Sequence, residues 1–464
     1  MIQNHINNVK TDHKEGVIRQ GDSDPPNYND PRYYLVCDED LGDGTVRYAT
    51  KSKKGTETVG TSGMNQRYLQ LDVMRVLALF IIVILVHLPF FIKYILSNAS
   101  DLVSVVRSPL IVDIGQYLAF FGLSIFVFLS GYVNTMRYPE LNSFHTMRVY
   151  LQKRVLKIYP QFWVALLLSY VFFTCIGVVY HVEFGYIDIV INSLGANVLL
   201  NSNTFIPFWF VGFILLAYIT YILITYRHKN IEDLLIRATF IFLIFVALNV
   251  FFGMISNELF IYYWIFIAGV VAHITGFFHI HNILTKSTVI CAALLCIIVS
   301  LFTKPDFQNI LRYNDPILAS QSAFSIVYLA VFGTLICILT FWLSNCLVEN
   351  LLSKYDSILK DNLFLGKGAN FASLKLDQRI VKLSNHSYTI YLFHILVFSI
   401  LSEILKSVNI PSIYKVGILT IGGIILVYYM SAVIDRWLTF CIKLSSLHKP
   451  PAHDGICQVD QPGK

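Results

Sequence analysis

Ten apolar runs lie between residues 71 and 439, and all but the short seventh are about long enough to cross a lipid bilayer. Hydrophobic residues make up 55% of the 464-residue chain and charged residues only 14%, whereas about a quarter of the residues in soluble globular proteins are charged. Long apolar runs without helical or strand periodicity are typical of membrane-spanning helices. The sequence therefore predicts an all-α, polytopic membrane protein with about ten transmembrane helices. The predicted spans are 71–92, 114–135, 158–180, 207–226, 234–252, 261–277, 288–302, 323–347, 388–405 and 413–439.

The charges of the loops orient these spans. The loops at 136–157 and 348–387 contain many lysines and arginines, whereas 181–207 and 253–260 contain none. Because loops rich in lysine and arginine stay in the cytoplasm, both termini are predicted to be cytoplasmic. The sequence thus predicts a multi-pass protein of the cell membrane, with the lipid bilayer as its first partner.

The two ends of the chain differ from the membrane domain at 67–441. Residues 1–66 are polar and too poor in apolar residues to form a core. They are predicted to be a disordered cytoplasmic tail, in which 33–37 and 45–49 could pair as a small hairpin, and 442–464 is a second short cytoplasmic tail. No apolar segment of a cleavable signal peptide lies near Met1, so the first span is expected to direct its own insertion.

Two classes of partner are not expected. The net charge of +6 is modest and gives no reason to predict a nucleic-acid partner. The eight cysteines show neither CxxC nor zinc-like spacing, so neither a disulfide framework nor a metal site is predicted.

The first span contains three ionisable residues, which are costly in hydrocarbon and therefore indicate function. Asp72 and Arg75 lie at its start, three residues apart on one helical face, which predicts an ion pair. His87 lies about 18 Å further along the helix axis, at about 1.5 Å per residue, and therefore beyond the midplane. The alternatives are a histidine satisfied by a neighbouring helix and an arginine that extends to the lipid headgroups.

The predicted orientation brings further polar residues to the cytoplasmic half of the membrane. These are Ser130 and Tyr132 in the second span, Arg154 and Lys157 at the start of the third, and Ser387, Tyr388 and His394 at the start of the ninth. A cationic, hydroxyl-lined cavity of this kind suits an anionic cytoplasmic ligand. Trp209 lies near the opposite face. Topology and helix packing are the alternative explanations for the basic residues and for Ser130 and Tyr132, and a place at the lipid interface is the alternative for Trp209.

Five segments resemble the acyltransferase-3 family of integral membrane O-acyltransferases. LDVMRVLALFIIVILVH at 71–87 resembles the first-helix signature of the family, which reads L-D-x-x-R-x-x-A, an apolar run and a histidine. The segments IFVFLSGYV (125–133), LQKRVLKIYPQFW (151–163), PFWFVGFILLAYITY (207–221) and LSNHSYTIYLFH (383–394) resemble later family segments in the same order. No single segment is specific, but the ordered set extends over about 67–437.

The resemblance implies transfer of an acyl group, usually acetyl, from cytoplasmic acyl-CoA to a hydroxyl of a carbohydrate, a glycolipid or another envelope acceptor, as in polysaccharide O-acetylation. It implies a catalytic His87 with Arg75 as its motif partner, and Asp72 is expected to organise the same cavity. His87 would act as general base or carry the acyl group, without a metal or a permanently bound cofactor. The expected donor-binding residues are Arg154, Lys157, Ser130, Tyr132, Ser387, Tyr388 and His394, and Trp209 is the expected acceptor-binding residue.

Two departures from the family pattern affect this interpretation. Eleven residues separate Arg75 from His87, where the family has ten. At about 100° per residue, ten intervening residues leave the pair within about 20° of one face, and eleven leave them about 120° apart. A π-bulge would absorb the extra residue, or the two groups serve different parts of a wide cavity. Lys157 stands where the family has a second arginine, and lysine lacks the bidentate fork.

Two other functions remain open. The main alternative is a non-enzymatic transporter or exporter of a glycan or lipid, because intramembrane arginine and histidine also mark substrate paths. The two halves of the chain show no internal symmetry of the kind common in transporters, which argues against it. The other is a member of the family that acts only as a membrane sensor, because of the extra residue before His87. Dependence of activity on acyl-CoA would separate an enzyme from both.

Overall fold

The computed structural model describes residues 33–40, 46–52, 69–96, 109–139, 141–176, 186–200, 208–253, 255–279, 283–303, 320–361 and 369–447. The chain divides into two compact units, Met1–Arg67 and Tyr68–Lys464. The first contains an antiparallel hairpin of β1 (Tyr33–Asp40) and β2 (Val46–Ser52), with an irregularity between Cys37 and Glu39. The hairpin is a departure from an all-α chain, with longer strands than the sequence indicated. The rest of the predicted tails, apart from a helical stretch up to Leu447, lies outside the described residues.

The second unit is helical throughout the part that the structure describes. Its helices are α1 (Leu69–Phe80), α2 (Leu88–Ile95), α3 (Pro109–Arg137), α4 (Phe144–Ile176), α5 (Tyr186–Ser193), α6 (Asn197–Leu200), α7 (Trp209–Thr225), α8 (Ile231–Phe252), α9 (Asn257–Ile274), α10 (Ile283–Thr303), α11 (Ser320–Asp361), α12 (Ala369–Ser407), α13 (Ser412–Gly417) and α14 (Gly423–Leu447). Two π-helical segments, Ile81–His87 and Ile418–Gly422, join α1 to α2 and α13 to α14, and Phe277–His279 is one turn of 3₁₀ helix.

Eight helices in the described residues are long and apolar enough to cross a membrane. They are Leu69–Ile95, Ile114–Arg137, Phe144–Phe173, Ile231–Phe252, Asn257–Ile274, Phe324–Val348, Gln378–Ser407 and Ser412–Cys441. Two shorter apolar helices, Trp209–Thr225 and Thr285–Val299, coincide with the predicted fourth and seventh spans. The multi-pass helical fold is therefore confirmed, while the total of ten spans and the cytoplasmic termini stay predictions.

Several helices extend into segments that the sequence indicated as loops. The loop predicted at 348–387 is largely helical, because α11 continues to Asp361 and α12 begins at Ala369. Likewise α4 begins at Phe144, so the basic residues before the third span lie on a helix. The apolar runs locate only the hydrocarbon-facing part of each helix, since polar turns beyond the bilayer keep their backbone hydrogen bonds in water.

The helices α9 and α12 form the centre of the bundle. In their apolar windows 67% and 72% of the residues are buried, against 22–44% in the other six spans. By contrast, α8 exposes large apolar side chains such as Phe240 and Phe251, as expected of a helix that faces lipid. The side chains that surround α9 and α12 are therefore the ones shielded from lipid.

Glycines let α3 cross α9 at close range. A Cβ atom on Gly131 would lie 2.2 Å from the carbonyl oxygen of Phe266, and one on Gly269 would lie 2.2 Å from that of Phe128. Only glycine permits such an approach, as is common between membrane helices. The crossing fixes the segment around Gly131 against the central helix of the bundle.

Candidate active site

The backbone before His87 corrects the unusual spacing in the first span. Residues Ile81–His87 form a π-helical segment, and the N–H of Leu88 donates to the carbonyl of Val83, five residues earlier. A π turn holds one residue more than an α turn. It therefore cancels most of the 120° offset and returns His87 towards the face of Arg75. Of the two explanations left open by the sequence, the π-bulge is the one observed.

The structure brings His87 into contact with His394 of α12. Nε2 of His394 lies 3.0 Å from Nδ1 of His87, and the ring centroids are 4.8 Å apart. Nδ1 of His87 is also 3.0 Å from the carbonyl oxygen of Ile82, and Nδ1 of His394 is 2.7 Å from that of Tyr391. Two imidazoles and two backbone carbonyls thus form one cluster between neighbouring helices.

The predicted relative depth of these histidines is wrong. His87 was expected beyond the midplane, and His394 near the cytoplasmic end, two turns into a span that begins at 388. The 3.0 Å contact between the two rings shows instead that they lie at the same depth. The helix α12 is also longer than the predicted ninth span, since it begins at Ala369 and not at 388.

A second contact holds the same two helices together. The buried carboxylate of Asp72 accepts hydrogen bonds through Oδ1 from Ser384 Oγ at 2.6 Å and from Arg75 Nη1 at 3.1 Å. The predicted pair of Asp72 and Arg75 is therefore confirmed, with 2% of the aspartate side chain exposed and 27% of the arginine. Ser384 was not singled out from the sequence, because serine is common in helices and only the three-dimensional contact marks it.

Three tyrosines surround the guanidinium of Arg154. Its Cζ lies 5.5 Å from the ring centroid of Tyr138, 5.4 Å from that of Tyr150 and 5.4 Å from that of Tyr218. These distances are within cation–π range. Among the described residues no carboxylate pairs with Arg154, and its buried Nε and Nη2 atoms have no hydrogen-bond acceptor there. A cation with unused donors suits an anionic group.

The other residues of α3 and α4 that were predicted to bind acyl-CoA have surroundings different from those of Arg154. Lys157 is exposed. The hydroxyl of Ser130 donates to the carbonyl of Phe126 at 2.8 Å in its own helix. Tyr132 packs its ring against those of His273, Phe278 and Phe341, with centroids 5.0–5.7 Å away. The described contacts of Ser130 and Tyr132 are thus those of packing residues.

Residues of α12 contact both α4 and the imidazole pair. Tyr388 donates to the carbonyl of Ile158 in α4 at 3.3 Å. The Tyr391 ring centroid is 5.8 Å from that of His394. The neighbouring Ser387 is buried. Tyr388 therefore contacts α4 one turn beyond Arg154, and Tyr391 contacts His394.

Trp209 contacts the central helix α9. It is the first residue of α7, and its ring centroid lies 5.6 Å from that of Tyr262. Tyr262 is buried and packs in turn on Phe120 and Phe213. The described contacts place Trp209 among aromatic rings, and it contacts neither histidine within them.

A polar cluster that the sequence analysis missed joins α4, α12 and α14. Oδ2 of Asp435 lies 2.5 Å from Nδ1 of His386. Oδ1 accepts hydrogen bonds from Thr389 Oγ1 at 2.5 Å and Gln161 Nε2 at 3.4 Å. Asp435 is the only acidic residue in the tenth predicted span, 413–439. That isolation in an apolar run was the signal that could have identified it.

These observations define a multi-pass helical membrane protein with a pair of imidazoles, an ion pair and a caged guanidinium inside its bundle. A model of the acyltransferase-3 family, described as an acyltransferase domain, matches residues 68–432. Because the match covers most of the chain, the chain belongs to this family, and membership indicates a membrane acyltransferase. No curated protein and no solved structure matched the chain.

Proposed function

We propose that the protein transfers an acyl group, acetyl in the first instance, from cytoplasmic acyl-CoA to a hydroxyl of a carbohydrate or glycolipid acceptor of the cell envelope. The observation that carries the proposal is the π-helical segment Ile81–His87. It returns His87 towards the face of Arg75 and so removes the main reason to regard the chain as an inactive family member. The family match supports the reaction class.

In the proposed reaction His87 is the general base. Its uncharged imidazole takes the proton of the acceptor hydroxyl while the oxygen attacks the thioester carbonyl carbon. The tetrahedral intermediate then collapses, the carbon–sulfur bond breaks, and the proton passes from His87 to the sulfur of CoA. In the variant mechanism the imidazole attacks the thioester first and carries the acyl group to the acceptor. Both routes use the same side chain.

Arg154 is the proposed contact for the phosphates of acyl-CoA. Two observations support this role. The buried Nε and Nη2 atoms of its guanidinium have no hydrogen-bond acceptor among the described residues, and three tyrosine rings surround the group. The exposed Lys157 would add charge where the donor approaches. Asp72 and Arg75 would hold the first span against α12, and Trp209 would contact the acceptor from the outer face. The proposed orientation, with cytoplasmic termini in the cell membrane, brings donor and acceptor from opposite sides.

The test is incorporation of labelled acetyl from acetyl-CoA into envelope material by membranes that contain the protein. The His87→Ala variant is compared with His228→Gln. His228 is a suitable control because its Nδ1 also lies 3.0 Å from a backbone carbonyl, that of Thr225, but outside the described spans.

We expect the control to retain incorporation and the His87 variant to lose about 100-fold or more. Incorporation that survives His87→Ala would assign the chemistry to another residue. No incorporation by the wild-type protein with any acyl-CoA tested would favour transport.

A further inference from the structure

We propose that His394 is a positioning residue, which holds His87 with its proton on Nδ1 and thereby leaves Nε2 as the atom that removes the acceptor proton. The sequence alone indicates His394 as a residue that binds acyl-CoA. The inference rests on the proposed function for its catalytic consequence, whereas the tautomer itself is a property of the resting protein.

The carbonyl of Tyr391 determines the state of His394. A carbonyl oxygen can only accept a hydrogen bond, so Nδ1 of His394, at 2.7 Å, carries the proton. In a neutral imidazole the other ring nitrogen is then an acceptor. Nε2 of His394 therefore offers a lone pair to His87, from which it is 3.0 Å away.

Two acceptors then determine which ring nitrogen of His87 carries the proton. Nδ1 of His87 lies 3.0 Å from Nε2 of His394 and 3.0 Å from the carbonyl oxygen of Ile82. Both partners require a donor, so the proton of the neutral ring is on Nδ1. The lone pair is on Nε2, which has no hydrogen-bond partner among the described residues.

The exposure of the two rings assigns their roles. His394 is fully buried, with 0% of its surface exposed, whereas His87 is partly accessible. A substrate can therefore approach His87 but not His394. The same difference argues against His394 as a contact of acyl-CoA.

The π-helical segment supplies one of the two acceptors of His87 Nδ1. Ile82 lies five residues before His87, which is the hydrogen-bond spacing of a π turn. The carbonyl of Ile82 therefore belongs to the turn that carries the imidazole. The π turn therefore both returns His87 towards the face of Arg75 and places a backbone acceptor beside its Nδ1.

The arrangement would stabilise the charge that forms during the reaction. When Nε2 of His87 takes the acceptor proton, the ring becomes an imidazolium with protons on both nitrogens. Its Nδ1–H keeps its two acceptors, which strengthen as the ring becomes positive. His394 keeps its own proton throughout, and the His87 proton leaves from Nε2 to the sulfur of CoA.

The tautomer can be measured without any acyl transfer. Protein labelled with ¹⁵N-histidine is studied in lipid nanodiscs, and the His87 signals are assigned by their loss in His87→Ala. We expect a neutral His87 ring with the proton on Nδ1 and a bare Nε2. A proton on Nε2 of His87 would overturn the proposal, whatever the outcome of the activity assay.

Kinetics test the role of His394 in turnover. His394→Gln places a side-chain oxygen where Nε2 accepted, and His394→Leu has no acceptor. We expect kcat to fall about 100-fold in His394→Leu and to recover at least in part in His394→Gln. KM for acyl-CoA should change less than about twofold in both variants. His228→Gln is the control. A raised KM for acyl-CoA at unchanged kcat would restore His394 to the donor site and overturn the proposal.

Discussion

The carboxylate of Asp72 and the hydroxyl of Ser384 are 2.6 Å apart, although 312 positions separate them in the sequence. Together with the contact of His87 and His394, this bond holds the first span and α12 side by side at two levels. Two contacts fix both the spacing and the register of neighbouring helices. The imidazole pair is therefore placed by the packing of two helices and not by a loop.

Removing the Ser384 hydroxyl should loosen this pairing. In Ser384→Ala the buried carboxylate of Asp72 keeps Arg75 but loses its 2.6 Å hydrogen bond to the serine hydroxyl. We expect a loss of about 1–3 kcal/mol in the free energy of unfolding, the usual range for hydrogen bonds to charged groups. Thermal unfolding in detergent measures it, with the exposed Ser407→Ala at the end of the same helix as the control. Equal stability of both variants would contradict the role given to this bond.

The π-helical segment predicts opposite effects for two changes of one residue. Deleting Leu85, which is exposed, lets the segment become α-helical and restores ten residues between Arg75 and His87. Inserting an alanine after Leu85 instead adds about 100° of rotation. We expect the deletion to keep acyl transfer within about tenfold of wild type and the insertion to abolish it, because orientation at a reacting centre is costly to lose. Inactivity of the deletion with activity of the insertion would show that the segment has another purpose.

Local features of this site followed from the sequence, and contacts between distant helices did not. The pairing of Asp72 with Arg75 and the π-bulge depend on spacing within one helix, which the 3.6-residue repeat makes calculable. The partnership of His87 and His394 depends on how α12 packs against the first span, and the polar turns of α12 before 388 concealed the length of that helix. Asp435 and His386 escaped notice for the same reason, since neither has its partner on its own helix.

The tyrosine cluster predicts that Arg154 cannot be replaced by lysine without loss. In Arg154→Lys the charge remains, but the planar group that stacks among three rings and offers several donors is lost. We expect KM for acyl-CoA to rise about tenfold, the equivalent of about 1.4 kcal/mol, with kcat nearly unchanged. Steady-state kinetics with varied acyl-CoA measure this. Arg148→Lys is the control, because Arg148 is an exposed arginine of the same helix, and an equal effect of both changes would reject a specific site.

The helix crossing at Gly131 should not tolerate a methyl group. Gly131→Ala would place its Cβ 2.2 Å from the Phe266 carbonyl oxygen, whereas a Cβ on Gly115 of the same helix meets nothing within 4 Å. We expect Gly131→Ala to lower the free energy of unfolding by about 1–3 kcal/mol, the usual cost of overpacking, and Gly115→Ala to leave it unchanged. Thermal unfolding of the two variants side by side decides the matter. A Gly131→Ala protein as stable as Gly115→Ala would mean that α3 and α9 can separate without loss.

The Asp435 cluster should contribute to stability and not to the chemical step. Asp435 belongs to α14, and its carboxylate binds residues from α4 and α12. Of its side chain, 17% is exposed. Asp435→Ala leaves these donors without their acceptor, so we expect a loss of about 3 kcal/mol, as when one partner of a largely buried pair is removed. Asp435→Asn retains an oxygen for Thr389 and should lose less. Unfolding measurements give the order of stability, and acyl transfer per folded molecule should stay near the wild-type value in Asp435→Asn. A folded Asp435→Asn protein without acyl transfer would instead place this carboxylate in the reaction, because its packing would be intact while its charge was gone.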